Sequence, residues 1–299
     1  MALLVVLLCL YGVHVSSFPF TSRTHPVIMI SFDGFRYDYL EIVKAKGIKT
    51  PNFDLLISHG VRAEYMKNAF ITKTFPNHYT LVTGMYEENH GVVSNNMFDP
   101  RYNETFTLAL SDQKSDALNK WFTNDTDTGG PEPIWVTNQK GSQEGVLRLS
   151  GVVMWPGSTA KVHGQYPHYL VPYNRSVPNN ERIDHVVDWL TRDKDPVNLA
   201  LCYFSEPDHT GHQTGPYSDE IAQVIQTLDQ VLGYLIDKLT QHGIFEDVDV
   251  IVTSDHGMME ITNTTIIEDY NITADMYTAF GSSPVLSVMP KGSKSAYSL

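Results

Sequence analysis

Three apolar runs are each followed closely by an aspartate, and this constrains the fold more than any other feature of the chain. Pro26–Phe35 reads PVIMISFDGF and closes on Asp33-Gly34. Asn198–Phe204 leads into Ser205-Glu206-Pro207-Asp208, and Val248–Thr253 leads into Ser254-Asp255-His256-Gly257. Such near-continuous apolar strands belong to parallel sheets covered on both faces. Helical stretches lie between them. Thr50–Gly60 has a capping threonine, Pro51 at the first helical position and a terminal glycine. Asn179–Arg192 sets Ile183, Val186, Val187 and Leu190 on one face. Ser218–His242 carries a stripe of Ile221, Val224, Ile225, Leu228, Val231, Leu232, Leu235 and Leu239, capped by Ser218 and stopped by Gly243. The alternation predicts an α/β chain with a parallel sheet and right-handed crossovers, in which ligands sit beyond the carboxyl ends of the strands. Asp33, Asp208 and Asp255 then share one sheet edge. Further short strands are expected at Pro133–Val136 and Gly151–Trp155. The polar stretch from about Arg101 to Gly145 reads as surface excursions with little core.

The 299 residues, 42% of them hydrophobic, suffice for one large domain or two small ones. A formal net charge of -13 with no basic block argues against duplex nucleic acid as a partner. MALLVVLLCLYGVHVSS reads as a secretory signal cleaved near Ser17, too short to span a membrane, and no later run is long enough to do so. Behind it stand Asn-x-Ser/Thr sequons at Asn103, Asn124, Asn174, Asn263 and Asn271, as in an N-glycosylated protein secreted or displayed on the cell surface. Once Cys9 leaves with the signal, Cys202 remains alone, so no intrachain disulfide is expected.

Ile71–Gly84, ITKTFPNHYTLVTG, places Thr74 just before an expected helix, where free backbone N–H groups favour an anion. A threonine hydroxyl is a useful nucleophile only when a metal or base stabilises its alkoxide. Asp33, Thr74, Asp208, His212, Asp255 and His256 supply oxygen and imidazole nitrogen without thiolate, which suits Zn²⁺, with Mn²⁺ as the harder alternative. Acids gathered at one sheet edge would repel one another without a cation. Asp33-Gly34 alone would be read as a turn.

SFDGFR at Ser31–Arg36, TKTFPNHYTLVTG at Thr72–Gly84, ENHGVVSNNMFDP at Glu88–Pro100, EPDHTGH at Glu206–His212 and TSDHGM at Thr253–Met258 resemble the ectonucleotide pyrophosphatase/phosphodiesterase family of the alkaline phosphatase superfamily. MWPG at Met154–Gly157 and YNRSV at Tyr173–Val177 fit the same pattern, and the likeness is to the smaller, single-domain members. The resemblance implies an alkaline-phosphatase-like, mostly parallel sheet with helices on both faces, occupying residues 18–299 as one catalytic domain. It implies two Zn²⁺ ions. Asp33, Thr74, Asp255 and His256 would hold one, with Thr74 as nucleophile, and Asp208 and His212 would hold the other with a further histidine. Asn95 would bind a phosphate oxygen, and Tyr173 would stack on a nucleobase opposite Phe75. The implied activity is hydrolysis of nucleotide phosphodiester or pyrophosphate bonds through a phospho-threonine, releasing a nucleoside 5′-monophosphate. The chain departs from the pattern in having no histidine after His256 and no HGYDN motif, so the domain is expected to be incomplete at its C-terminus. Thr159 stands where many relatives carry an acid, which leaves base preference open. Two other readings remain. One is a glycosylated extracellular binding domain with an impaired site. The other is a choline-phospholipid phosphodiesterase of the same family, since Tyr173 and Phe75 would also box a quaternary ammonium.

Overall fold

The structure, a computed structural model, describes residues 25–108, 114, 116–123, 130–143 and 146–292. The expected signal at residues 1–17, Cys9 and the sequon at Asn124 lie outside the described residues. In chain order the elements are β1 (Val27–Phe32), α1 (Tyr39–Ala45), α2 (Pro51–His59), α3 (Thr74–Thr83), α4 (Glu87–His90), β2 (Met97–Asp99), β3 (Glu104–Phe106), α5 (Asn119–Thr123), α6 (Ile134–Lys140), β4 (Ser150–Val153), β5 (Tyr169–Val171), α7 (Asn179–Thr191), β6 (Leu199–Phe204), α8 (Asp208–Thr214), α9 (Asp219–Gln241), β7 (Asp249–Thr253), β8 (Tyr277–Ser282) and β9 (Val285–Pro290).

The central sheet is five-stranded and parallel, in the order β5-β4-β6-β1-β7. Successive side chains of a strand point to opposite faces. Every residue of β6, Leu199 to Phe204, is buried, so both faces of the sheet are covered there, as its unbroken apolar run requires. Cys202 lies in this strand as a free, buried thiol, and burial pushes it up to about 12. α9 buries the expected stripe from Ile221 to Leu239, and the Ser218 hydroxyl accepts the Ile221 amide at 3.2 Å to satisfy one free donor of the first turn. Each fully buried Leu or Ile of that stripe is worth about 1.5–3 kcal/mol.

Close packing of α7 on the sheet sets one sharp requirement. At Gly151 in β4, a Cβ would lie 2.3 Å from Cε3 of Trp189. An indole held between Tyr169 and His185, stacked on each, has little room to yield. Gly151→Ala is therefore expected to destabilise the chain by about 1–3 kcal/mol, read as a lowered urea midpoint with unchanged slope. An unchanged midpoint would show that α7 shifts freely.

Three expectations are corrected. Pro133–Val136 is not a strand. Pro133 accepts the amides of Val136 and Thr137 at 2.8 and 3.2 Å and caps α6, whose Trp135 and Val136 are fully buried. The β-branched residues favoured a strand locally, but this cap and the burial of Trp135 decide for helix. The stretch from Arg101 to Gly145 contributes heavily to the core. Phe106, Leu118, Trp121 and Phe122 are each at most 3% exposed, and Phe106 packs its ring on Phe75, Trp121 and Phe122. Leu118, Trp121 and Phe122 do stand at helical i, i+3, i+4 spacing, but the stretch is too short and too polar around them for that to outweigh its loop-like composition. Finally, β7 lies at the edge of the sheet beside β1, and Asp249 and Ile251 are exposed.

The sequon asparagines Asn103, Asn174, Asn263 and Asn271 are all exposed. Among the described residues no helix is long and apolar enough to cross a membrane.

Candidate active site

β1, β6 and β7 run side by side, so the residues after their carboxyl ends meet. Asp33 follows β1, Asp208 opens α8 just beyond β6, and Asp255 follows β7. The Asp208 amide donates to the Asp33 carbonyl at 2.9 Å, and the Gly34 amide donates to Asp255 Oδ1 at 3.1 Å. Gly34 has φ +67°, and a Cβ there would lie 2.9 Å from the Asp208 Cβ. Glycine is what lets the strand end turn while the acids close in.

Asp33, Asp255 and His256 place one ligand atom each within 4.8 Å of one another. His256 Nε2 is 3.4 Å from Asp33 Oδ1 and 3.2 Å from Asp255 Oδ2. Asp208 and His212 sit one turn apart on α8, with Asp208 Oδ1 3.3 Å from His212 Nε2. A helix was not anticipated there, yet it is what brings positions i and i+4 to one face. Gly211 between them leaves room for Met258, whose Cε would lie 3.1 Å from a Cβ there.

Burial drives the Asp33 carboxyl well above the usual carboxylate range, reinforced by the charges of Asp255 and Asp208 and opposed by the Tyr203 hydroxyl, which donates to Asp33 Oδ2. Burial raises Asp208 likewise, against the pull of His256 and His212. Burial would raise Asp255 too, but His78 and His256, with the Gly34 amide, hold it below the usual range. Asp33 Oδ1, Asp208 Oδ1 and Asp255 Oδ2 are buried and make no hydrogen bond among the described residues. Buried polar atoms are normally satisfied. Three buried carboxylate oxygens without a hydrogen bond, lying near the imidazoles of His212 and His256 and, for Asp255 Oδ2, of His78 as well, with no thiolate in the set, fit a divalent cation such as Zn²⁺.

Thr74 is the first residue of α3, and its hydroxyl makes no hydrogen bond among the described residues. The Phe75 amide behind it donates to Asn95 Oδ1 at 2.9 Å. Asp33, Thr74, Asp208, His212, Asp255, His256, Asn95, Tyr173 and Phe75 all line one open cleft of about 1820 Å³. Tyr173 is half-buried at the rim, where Arg175 Nε donates to its hydroxyl at 3.1 Å. Most of the Phe75 ring is buried against Phe106 and Phe122.

Sequence reasoning passed over His78, Ser31 and Tyr203. His78 lies one turn after Thr74 inside a motif already singled out, so its spacing was a usable signal. Ser31 and Tyr203 sit within apolar strands, and nothing in a strand pattern marks which polar atom reaches the site.

This fold and cleft define the chain's class: it belongs to the type I phosphodiesterase / nucleotide pyrophosphatase family, whose profile matches residues 27–298. It is 41% identical over 269 residues to ectonucleotide pyrophosphatase/phosphodiesterase family member 5 of Homo sapiens, covering 90% of this chain and 52% of that one. It is 39% identical over 284 residues to bis(5′-adenosyl)-triphosphatase enpp4 of Xenopus laevis, covering 94% and 58%. The solved structure of the murine member 5 superposes with a TM-score of 0.79 at 41% identity, covering 90% of this chain and 67% of that one. An inactive threonine-to-alanine variant of that murine protein has been solved in complex with AMP. The chain thus spans about half the length of the curated relatives it matches.

Proposed function

We propose that the chain carries a zinc-dependent phosphodiesterase site that cleaves nucleotide phosphodiester or pyrophosphate bonds and releases a nucleoside 5′-monophosphate. The observation that carries this reading is the set of three orphaned carboxylate oxygens in the same cleft as the unbonded Thr74 hydroxyl. Asp33, Thr74, Asp255 and His256 would hold one Zn²⁺, and Asp208 and His212 would contribute to a second. Bound zinc would lower the hydroxyl's proton affinity and neutralise charge on the phosphoryl group.

The chain's own residues supply the rest. Thr74 gives up its hydroxyl proton to solvent and its oxygen attacks phosphorus. The bond to the leaving oxygen breaks, that oxygen takes a proton from solvent, and Thr74 is left carrying the nucleoside monophosphoryl group. Water then cleaves the Thr74 ester and frees the monophosphate. The head of α3 lends partial positive charge to the phosphoryl oxygens. Asn95, its Oδ1 occupied by the Phe75 amide, has its NH₂ to offer a nonbridging oxygen. Tyr173 would stack on the base from the rim, worth about 1–3 kcal/mol, with Phe75 edging its other side. AMP in the murine relative's structure and the bis(5′-adenosyl) substrate named for the frog relative support a small nucleotide ligand. The sequons support a glycosylated protein, secreted or held at the cell surface, with N-glycans on Asn103, Asn124, Asn174, Asn263 and Asn271.

The test is hydrolysis of the nitrophenyl ester of thymidine 5′-monophosphate by the purified chain. Turnover is expected with zinc present, lost on chelation and restored by zinc, with thymidine 5′-monophosphate identified as product. Absence of turnover from folded, zinc-loaded protein would refute the reading.

A further inference from the structure

His78 is a fully buried imidazole that the proposed chemistry leaves without a role. Its Nδ1 lies 2.8 Å from the Thr74 carbonyl oxygen and 3.3 Å from Asp255 Oδ2. Its Nε2 lies 2.8 Å from the Ser31 hydroxyl on β1. Trp155 and Tyr203 press edge-on against the ring, with centroids 5.1 and 5.0 Å away, and the Trp155 indole N–H donates to the His78 carbonyl. The ring is therefore clamped, and its two nitrogens face different partners. A carbonyl and a carboxylate only accept, so Nδ1 must carry a proton. In the neutral ring Nε2 is then bare and takes the Ser31 hydroxyl proton as an acceptor.

We propose that His78 is a positioning residue: its Nδ1–H, required by the accept-only groups on that side and left in place by the Ser31 hydroxyl at Nε2, donates to the Thr74 carbonyl and faces Asp255 Oδ2, so the clamped ring couples the first turn of α3 electrostatically to that carboxylate. This rests on the reading of Thr74 as nucleophile and Asp255 as metal ligand. His78 touches neither the phosphoryl group nor the metal in that assignment. It joins the two elements that carry them, one from α3 and one from the end of β7. Groups that orient a ligand from behind typically change metal affinity or activity by about 10–100-fold when removed, and a misplacement of about 1 Å can cost about 10²-fold in rate.

The test uses the full chain with Co²⁺ as the spectroscopic stand-in for zinc. Histidine labelled with ¹⁵N should show the His78 ring protonated at Nδ1 and bare at Nε2. The opposite tautomer would overturn the assignment. An asparagine amide can stand near the Nδ1 position and a glutamine amide near Nε2. His78→Asn should therefore keep the wild-type Co²⁺ absorption spectrum and affinity, while His78→Gln weakens Co²⁺ binding about 10–100-fold and alters the spectrum. Equal behaviour of the two variants, or wild-type Co²⁺ binding in His78→Gln, overturns the proposal. Should His78→Gln fail to fold, Ser31→Ala removes one oxygen and is expected to weaken Co²⁺ binding severalfold; wild-type binding there counts against it equally. With ester substrate, the loss in His78→Gln should fall on kcat with KM little changed. A wild-type chain that binds Co²⁺ yet turns over no ester would sink the phosphodiesterase reading, while the tautomer and the cobalt titration still decide the role of His78.

Discussion

Thr74→Ala is expected to lower turnover of a nucleoside 5′-monophosphate ester by about 10³-fold or more, while the protein folds as before and still binds AMP. The asymmetry follows from where the hydroxyl sits. It makes no hydrogen bond among the described residues, and the Thr74 carbonyl, which the variant keeps, is what His78 holds. The side chain is half-exposed, so its removal opens no core cavity, and a surface change of this kind usually costs within about 0.5 kcal/mol. A tenfold rate change is about 1.4 kcal/mol of barrier, so the loss corresponds to about 4 kcal/mol or more of transition-state stabilisation carried by one oxygen. Thr74→Ser keeps a hydroxyl at the head of α3 and should retain measurable turnover. The paired measurement is steady-state hydrolysis with calorimetric binding of AMP. Unchanged turnover in Thr74→Ala would remove Thr74 from the chemistry, and loss of AMP binding together with turnover would show that the substitution disturbs the cleft rather than the nucleophile.

The acids of the site were legible because of a rule about sheets rather than about acids. Asp33, Asp208 and Asp255 each end an apolar run, and a parallel sheet gathers such ends along one edge. Thr74 was legible only in company: a hydroxyl at a helix start is usually a mere cap, and it gained meaning from the acids expected at the same sheet edge and from the family motif around it. What could not be read was set by contacts distant in sequence. The pairing of β6 with both β1 and β4 buries all of β6, whereas β7, apolar apart from Asp249 and Thr253, takes the edge and leaves Asp249 and Ile251 exposed. Asp249 is the one sign of that difference in VDVIVT, and a single acid at a strand's start does not mark an edge. Phe106, Trp121 and Phe122 were hidden for the opposite reason, since they stand in short apolar patches within a mostly polar stretch and the core they enter is built by residues such as Phe75 far from them in sequence. Ser31 and Tyr203 show the same limit within the site. Their strands declare that they are buried, and only the assembled sheet shows that their hydroxyls meet His78 and Asp33.

Zinc should stabilise the chain strongly at neutral pH and weakly in acid, and the electrostatics of the three acids fix the direction. Asp33 and Asp208 bind protons more tightly in the fold than in the unfolded chain, where an aspartate titrates near 3.9. Without metal, the native state holds the extra protons over the window above that value, so stability falls as pH rises through it. Asp255 behaves oppositely. Its native carboxyl is held low, so its contribution is present above about 3.9 and is lost only as pH falls further. A cation that binds the deprotonated carboxylates and neutral imidazoles removes the repulsion and releases protons, and its affinity therefore grows with pH. With free zinc at a hundredfold excess over Kd, about 2.7 kcal/mol of stabilisation is expected near neutral pH, which for a chain of this size is a rise in Tm of several degrees. At pH 5 the rise should be much smaller. Asp208→Asn gives the sharper outcome, because it deletes the charge while nearly keeping the shape. The metal-free variant should melt above the metal-free wild type at neutral pH, since a repelling carboxylate is gone, yet respond less to zinc. A zinc response equal at both pH values, or an Asp208→Asn protein that melts lower without metal and responds fully with it, would mean that the orphaned oxygens at this sheet edge are not what binds the ion.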